Sequence, residues 1–105
     1  MAIVQASYNL PTSNLEAYGK WATANIENVI LKAPGLRSFQ GFRNLLLNSP
    51  EVLLIYDFDS MENALQFVRS AAFAKMSAEA KSLGATDLNT QLWDVSPLTP
   101  EPLRP

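Results

Sequence analysis

The chain has 105 residues, with 8 basic and 10 acidic side chains for a formal net charge of −2 at pH 7, and it contains neither cysteine nor histidine. Such a length supports one hydrophobic core. The absent residues exclude disulfides, thiolate metal sites, a cysteine nucleophile, a histidine-based triad and the usual haem ligand.

Hydrophobic residues at 48% and charged residues at 17% describe a folded composition, not a disordered one. A slightly acidic chain has no general attraction to phosphates, and Lys20, Lys32, Arg37, Arg43, Arg69, Lys75, Lys81 and Arg104 are scattered singly. No nucleic-acid partner is therefore expected. The apolar runs Leu45–Leu47 and Val52–Ile55 are far too short to span a bilayer. No basic region precedes an apolar run at the N-terminus, so a cytoplasmic protein without a membrane partner is expected.

In chain order, Ala2–Asn9 alternates as a strand, with Ile3, Gln5, Ser7 and Asn9 on one face and Ala2, Val4, Ala6 and Tyr8 on the other. Pro11 stops it. Ser13 followed by Glu16 fits a capping box. From there Leu15, Tyr18, Ala22, Ile26, Val29, Ile30 and Ala33 make the apolar stripe of one helix of about 20 residues. Pro34-Gly35 ends it. Leu36–Arg43 is a second strand, with Phe39 and Arg43 on one face and Leu36 and Phe42 on the other. Asn48-Ser49-Pro50 is a turn. The third strand, Glu51–Phe58, is apolar on both faces and wants cover on both.

Asp59 or Ser60 can cap the next helix, whose stripe is Met61, Ala64, Leu65 and Val68. A break at Ser70-Ala71-Ala72 precedes a second helical piece, Phe73–Ser82. Asp87–Val95 is the last strand, with Leu88, Thr90 and Leu92 opposite Asn89, Gln91, Trp93 and Val95. The domain is thus expected over residues 1–95. Residues 96–105, with Pro97, Pro100, Pro102 and Pro105, form a helix-free tail.

The order β-α-β-β-α-β predicts an α+β, ferredoxin-like fold, with an antiparallel sheet covered by helices on one face. The other face would still carry apolar groups, including Phe39 and Trp93. A homodimer packed sheet to sheet, as a dimeric α+β barrel, is the simplest way to bury them.

The Ala33-Pro34-Gly35-Leu36 join and the strand-to-helix segment from Tyr56 to Ser70 resemble the antibiotic biosynthesis monooxygenase family of the dimeric α+β barrel superfamily. The resemblance covers about residues 2–95. It implies a homodimer that binds a small apolar or aromatic molecule. It also implies cofactor-independent oxidation of an aromatic or polyphenolic substrate, with Asn63 as the catalytic candidate and Phe67 and Phe73 at the positions of two functional aromatics. Phenylalanine has neither an indole N–H nor a phenol hydroxyl to donate. A haem-degrading relative would carry a histidine where Ser77 stands, so neither haem nor any other cofactor is expected.

Further pocket candidates are the strand residues Gln5, Ser7, Asn9 and Gln91, the pair Trp21 and Asn25 four residues apart on the first helix, and Met76. No oxygen-rich cluster suggests a metal site. The alternative function is a non-catalytic ligand-binding or assembly module of the same fold.

Overall fold

The four strands pair as their two-residue periodicity dictates. In the computed structural model, which describes Met1–Pro105, the elements are β1 (Ala2–Asn9), α1 (Leu15–Asn28), a 3-10 turn (Ile30–Lys32), β2 (Leu36–Arg43), β3 (Val52–Phe58), α2 (Met61–Val68), α3 (Ala71–Ser82) and β4 (Thr86–Asp94). The sheet order is β2-β3-β1-β4, and every neighbouring pair is antiparallel. This is the α+β, ferredoxin-like arrangement expected from the order of elements. No helix is long and apolar enough to cross a membrane. Residues 96–105 carry neither helix nor strand and are exposed.

Three local features depart from the sequence reading. The helix starts after Asn14, whose left-handed backbone (φ 57°) serves as the N-cap without a side-chain bond. Ser13 therefore lies outside the helix and the expected Ser13–Glu16 capping box does not form. At the other end, the helix gives way to the 3-10 turn. There the carbonyls of Val29 and Ile30 accept from the N–H groups of Lys32 and Ala33 at 3.2 and 3.0 Å. Short i→i+3 bonds of this kind satisfy carbonyls that an ending helix leaves free. Ala33 must also be extended ahead of Pro34, which forbids further helix.

The third departure is a bulge in β2. Leu36 pairs with Phe58 and Ser38 with Asp57, so Arg37 is the extra residue. Both Leu36 and Phe39 then turn toward the helices, and Phe39 packs on Tyr56 with ring centroids 5.0 Å apart. Phe39 is thus a core residue, not a group on the uncovered face.

The core lies between sheet and helices: Ala2, Val4, Tyr56 and Phe58 from the strands, Ile30 from the 3-10 turn, and Ala64, Phe67 and Met76 from α2 and α3. A single hydroxyl separates the last two helices. Ser70 Oγ donates to the Phe67 carbonyl at 2.7 Å, closing α2, and accepts from the Phe73 N–H at 3.1 Å, opening α3. On the opposite face Ile3, Leu53, Ile55, Phe42 and Trp93 come together by register, with Trp93 50% and Phe42 46% exposed.

Candidate functional site

A cavity lies where the central strand carries a small residue beneath two small residues of the helices. Ala6, on β1, pairs with Leu54 on one side and Thr90 on the other. Ala22 of α1 and Ala80 of α3 line the same space. Where alanine meets alanine across two layers, the side chains do not fill the gap. The result is a cavity of about 110 Å³. Its lining is mainly apolar, with Ile26, Phe39, Leu54, Phe73 and Met76 among its walls, and contains no charged side chain.

The polar groups of this cavity are three phenols together with Ser7, Asn25, Ser77, Asn89 and Thr90. All three tyrosines of the chain, Tyr8 on β1, Tyr18 on α1 and Tyr56 on β3, line it. The Tyr8 and Tyr18 hydroxyls are hydrogen-bonded to each other. Burial raises the pKa of each of the three phenols above its ordinary value. For Tyr18 the bond to Tyr8 raises it further, and for Tyr56 the neighbouring Tyr8 does so. All three stay neutral, as donors, through the physiological range.

The raised values have a consequence for stability. In the unfolded chain tyrosine ionises near pH 10. Above that pH the folded state holds protons that the unfolded state has lost, so stability falls as pH rises. The melting temperature is expected to drop more steeply above about pH 10 in the natural chain than in a Tyr8→Phe, Tyr18→Phe double variant. Parallel slopes in differential scanning calorimetry would contradict the cluster.

The cavity's edge is tied across the helices. Trp21 Nε1 donates to Glu79 Oε1 of α3 at 3.3 Å, and Asn25 Nδ2 donates to the Trp21 carbonyl at 2.9 Å. The Trp21 ring meets Tyr18 edge-on at 5.7 Å.

Of the residues singled out in the sequence, Ser7, Trp21, Asn25, Phe73 and Met76 line this cavity together. The others lie elsewhere. Asn63 and Phe67 border a separate surface hollow with Lys32, Pro34 and Ser70. Asn63 Nδ2 donates to Asp59 Oδ1 at 2.8 Å, while its backbone N–H is capped by Ser60 Oγ at 3.2 Å. That side-chain bond is the main reason the Asp59 carboxyl is held below its ordinary range. Gln5 faces Gln91 on the helix-free side of the sheet and accepts from Trp93 Nε1 at 3.1 Å. Asn9 ties the end of β1 to its surroundings, donating to Ser49 Oγ and Asp87 Oδ2 and accepting from the Glu51 N–H. The tyrosines escaped the sequence reading because Tyr8 and Tyr18 sit at regular apolar positions. The available signal was chemical: a buried phenol needs a partner, and all three fall on core-facing positions.

Comparison with known proteins supports the architecture. No family model matches the sequence, and no curated protein matches it either. Among solved structures, a candidate antibiotic biosynthesis monooxygenase from Deinococcus radiodurans superposes with a TM-score of 0.76 at 12% identity, over 99% of this chain and 97% of that one. SnoaB of Streptomyces nogalater, a cofactor-independent oxygenase solved as an asparagine-to-alanine mutant, gives 0.68 at 11% identity, over 95% and 97%. A candidate monooxygenase from Shewanella loihica gives 0.63 at 20%, over 90% and 93%. The fold is that of the antibiotic biosynthesis monooxygenases. The resemblance read from the Ala33–Leu36 join and the Tyr56–Ser70 segment therefore holds at the level of fold. Within the monooxygenase fold, those two segments meet: the Asp59 N–H donates to the Gly35 carbonyl at 2.9 Å, beside the Asp59–Asn63 bond.

Proposed function

We propose that the protein binds a small aromatic or phenolic molecule in the cavity between α1, α3 and the sheet, and oxidises it as a cofactor-independent monooxygenase. The observation that carries this reading is a mainly apolar cavity whose polar groups include three neutral phenols. An apolar cavity of about 150 Å³ holds benzene, so this smaller one takes at most one aromatic ring. In this reading the ring packs against Phe73 and Met76, with Trp21 and Asn25 at the edge. Asn63 lies outside this cavity, engaged by Asp59 at the separate surface hollow.

The oxidation needs no resident redox group, because the substrate supplies the electrons. A phenol with a free ring position and dioxygen give a quinone and water. One oxygen atom enters the ring and the other leaves as water, so that dioxygen as a whole takes four electrons from the substrate. Protein groups bind and orient the ring and exclude bulk water.

We further propose that two copies pack on the helix-free face. Its support is the patch of Ile3, Phe42, Leu53, Ile55 and Trp93, together with Asp57 Oδ1, which is buried without a hydrogen-bond partner. Sedimentation at micromolar concentration should give a dimer.

The test of function is oxygen uptake with one-ring phenols, read beside quinone absorbance. Uptake above the protein-free rate is expected, and Ala6→Leu, which fills the cavity floor, should abolish it while leaving the protein folded. A second reading, non-catalytic binding, is favoured by one observation: no carboxylate lines the cavity to act as a base. Saturable binding without any uptake supports that alternative and contradicts the oxygenase.

A further inference from the structure

We propose that the leucine loop between β2 and β3 docks onto the proline-rich tail of a second copy, so that each protomer clasps its partner at two symmetric corners. This rests on the sheet-to-sheet pairing proposed above and goes beyond it by naming the segments that meet and the symmetry that brings them together.

The loop stands out from the domain. Leu45, Leu46 and Leu47 are 77, 82 and 89% exposed, a run of large apolar side chains that their own chain leaves uncovered. Contiguous exposed apolar surface of this kind marks an interaction site. Nor is the loop slack. Asn44 Nδ2 donates to Asn48 Oδ1 at 2.6 Å and to the Pro50 carbonyl at 3.1 Å, and the Leu46 N–H donates to Asn44 Oδ1 at 2.9 Å. The Leu47 N–H donates to the Asn44 carbonyl at 3.3 Å. Leu47 itself holds a left-handed φ of 58°, which leucine seldom adopts. A segment ordered before contact loses little freedom on binding.

The occupant follows from the strand register. A second uncovered apolar segment is the tail, where Leu98 and Leu103 are 91 and 79% exposed among prolines that keep the chain extended. In one chain the two segments lie far apart. The loop leaves the sheet at Arg43 and Val52, level with Tyr8, whereas the tail leaves it at Asp94, level with Ala2. The strand between Ala2 and Tyr8 is about 20 Å long. Leu98, four residues past Asp94, reaches only about 14 Å from it. In the order β2-β3-β1-β4 the loop and the tail also fall toward opposite edges, so they mark diagonal corners of the sheet.

A two-fold axis between the facing sheets, along the other diagonal, lays each of these corners on the opposite corner of the partner. Two more pairs obey the same symmetry. Phe42 at the loop corner of the helix-free face falls on the partner's Trp93 at the tail corner, and these are the only aromatic side chains left exposed. Arg43 and Glu101 have no ion pair within their own chain, and the arrangement sets Arg43 against the tail segment that carries the partner's Glu101.

The chain has no cysteine, so a single pair of introduced thiols can report the contact. Leu46→Cys with Leu98→Cys in one chain, oxidised mildly at micromolar concentration, should give a covalent dimer on a non-reducing gel. Leu46→Cys alone should not, because the symmetry holds the two loops at opposite ends of the pair. Leu31→Cys with Leu98→Cys, the first exposed on the helix layer, controls for random collision and should stay uncrosslinked. In sedimentation, changing Leu45, Leu46 and Leu47 together to serine should weaken self-association about tenfold or more. Leu98→Ser with Leu103→Ser should act alike, and the combined variant should lose little beyond either. No covalent dimer from Leu46→Cys with Leu98→Cys, in a chain that still sediments as a dimer, would overturn the clasp and leave the sheet-to-sheet pairing standing. A covalent dimer from Leu46→Cys alone would overturn the symmetry on which the clasp depends. A natural chain that sediments as a monomer would overturn the pairing and the clasp with it.

Discussion

Replacing Phe67 by alanine should destabilise the protein by about 3–5 kcal/mol. Phe67 is the centre of an aromatic cluster, with ring centroids 5.1 Å from Tyr56, 5.3 Å from Phe58 and 5.1 Å from Phe73. It joins α2 to the central β3 strand and to the first turn of α3. Truncation removes these contacts and leaves a void that the rigid sheet on one side cannot close. In a domain of this size each kcal/mol moves the melting temperature by about 4–8 °C, so a fall of about 12 °C or more is expected. Phe67→Leu keeps most of the volume and should lose less than about 1.5 kcal/mol. Chemical denaturation of the two variants checks the ordering. Equal losses would mean that the aromatic cluster is not the keystone of the core.

Gly35→Ala should lower stability by about 2–4 kcal/mol, for two separable reasons. The first is backbone conformation. Gly35 has φ +79° in the turn from Ala33 to Leu36, where the Leu36 N–H donates to the Ala33 carbonyl at 3.2 Å. Glycine at the third position of such a turn is free of the Cβ penalty, which is about 1 kcal/mol for alanine. The second reason is space. A Cβ on Gly35 would lie 2.4 Å from Asn63 Nδ2, 2.5 Å from Asp59 Oδ1 and 2.8 Å from Asn63 Cβ. Overpacking of this kind is destabilising by about 1–3 kcal/mol.

Because those contacts fall on the Asp59–Asn63 bond, the substitution should also raise the titration of the Asp59 carboxyl toward its ordinary range. Nuclear magnetic resonance would follow that movement. In an Asn63→Ala background the closest contact is gone, so the double variant should lose less than the sum of the two single losses. Strict additivity would contradict the packing described.

Much of the fold was legible because it rests on periodicity. Alternation in Ala2–Asn9 and Leu88–Trp93, the two-sided apolar run of Val52–Phe58 and the stripes of both helical regions are local signals. They give the β-α-β-β-α-β order without any knowledge of contacts. What escaped depends on the partner of a residue. The bulge at Arg37 is visible only against the β3 register, and it decides that Phe39 is buried. The left-handed Asn14 displaces a capping box whose sequence signature is otherwise complete.

The candidate site was legible in part for the same reason. Trp21 and Asn25 on α1 were found by helical spacing and Phe73 on α3 through the family resemblance, and the structure brings them, with Met76, to one cavity. Asn63, identified through the family resemblance, is drawn by Asp59 toward the Gly35 turn. The cavity itself comes from Ala6, Ala22 and Ala80 facing one another, and three alanines far apart in sequence give no local sign of that meeting. Nor do three tyrosines at core positions announce that they line one cavity.

The most direct measurement of the central claim is the location of a bound ring in solution. With the protein saturated with 4-nitrophenol, nuclear Overhauser contacts from the ring protons should reach the Met76 methyl, the Leu54 methyls and the Tyr56 ring. Contacts instead to Ala72 and Val29 at the outer hollow, or none at any concentration, would contradict the assignment of the cavity as the functional site.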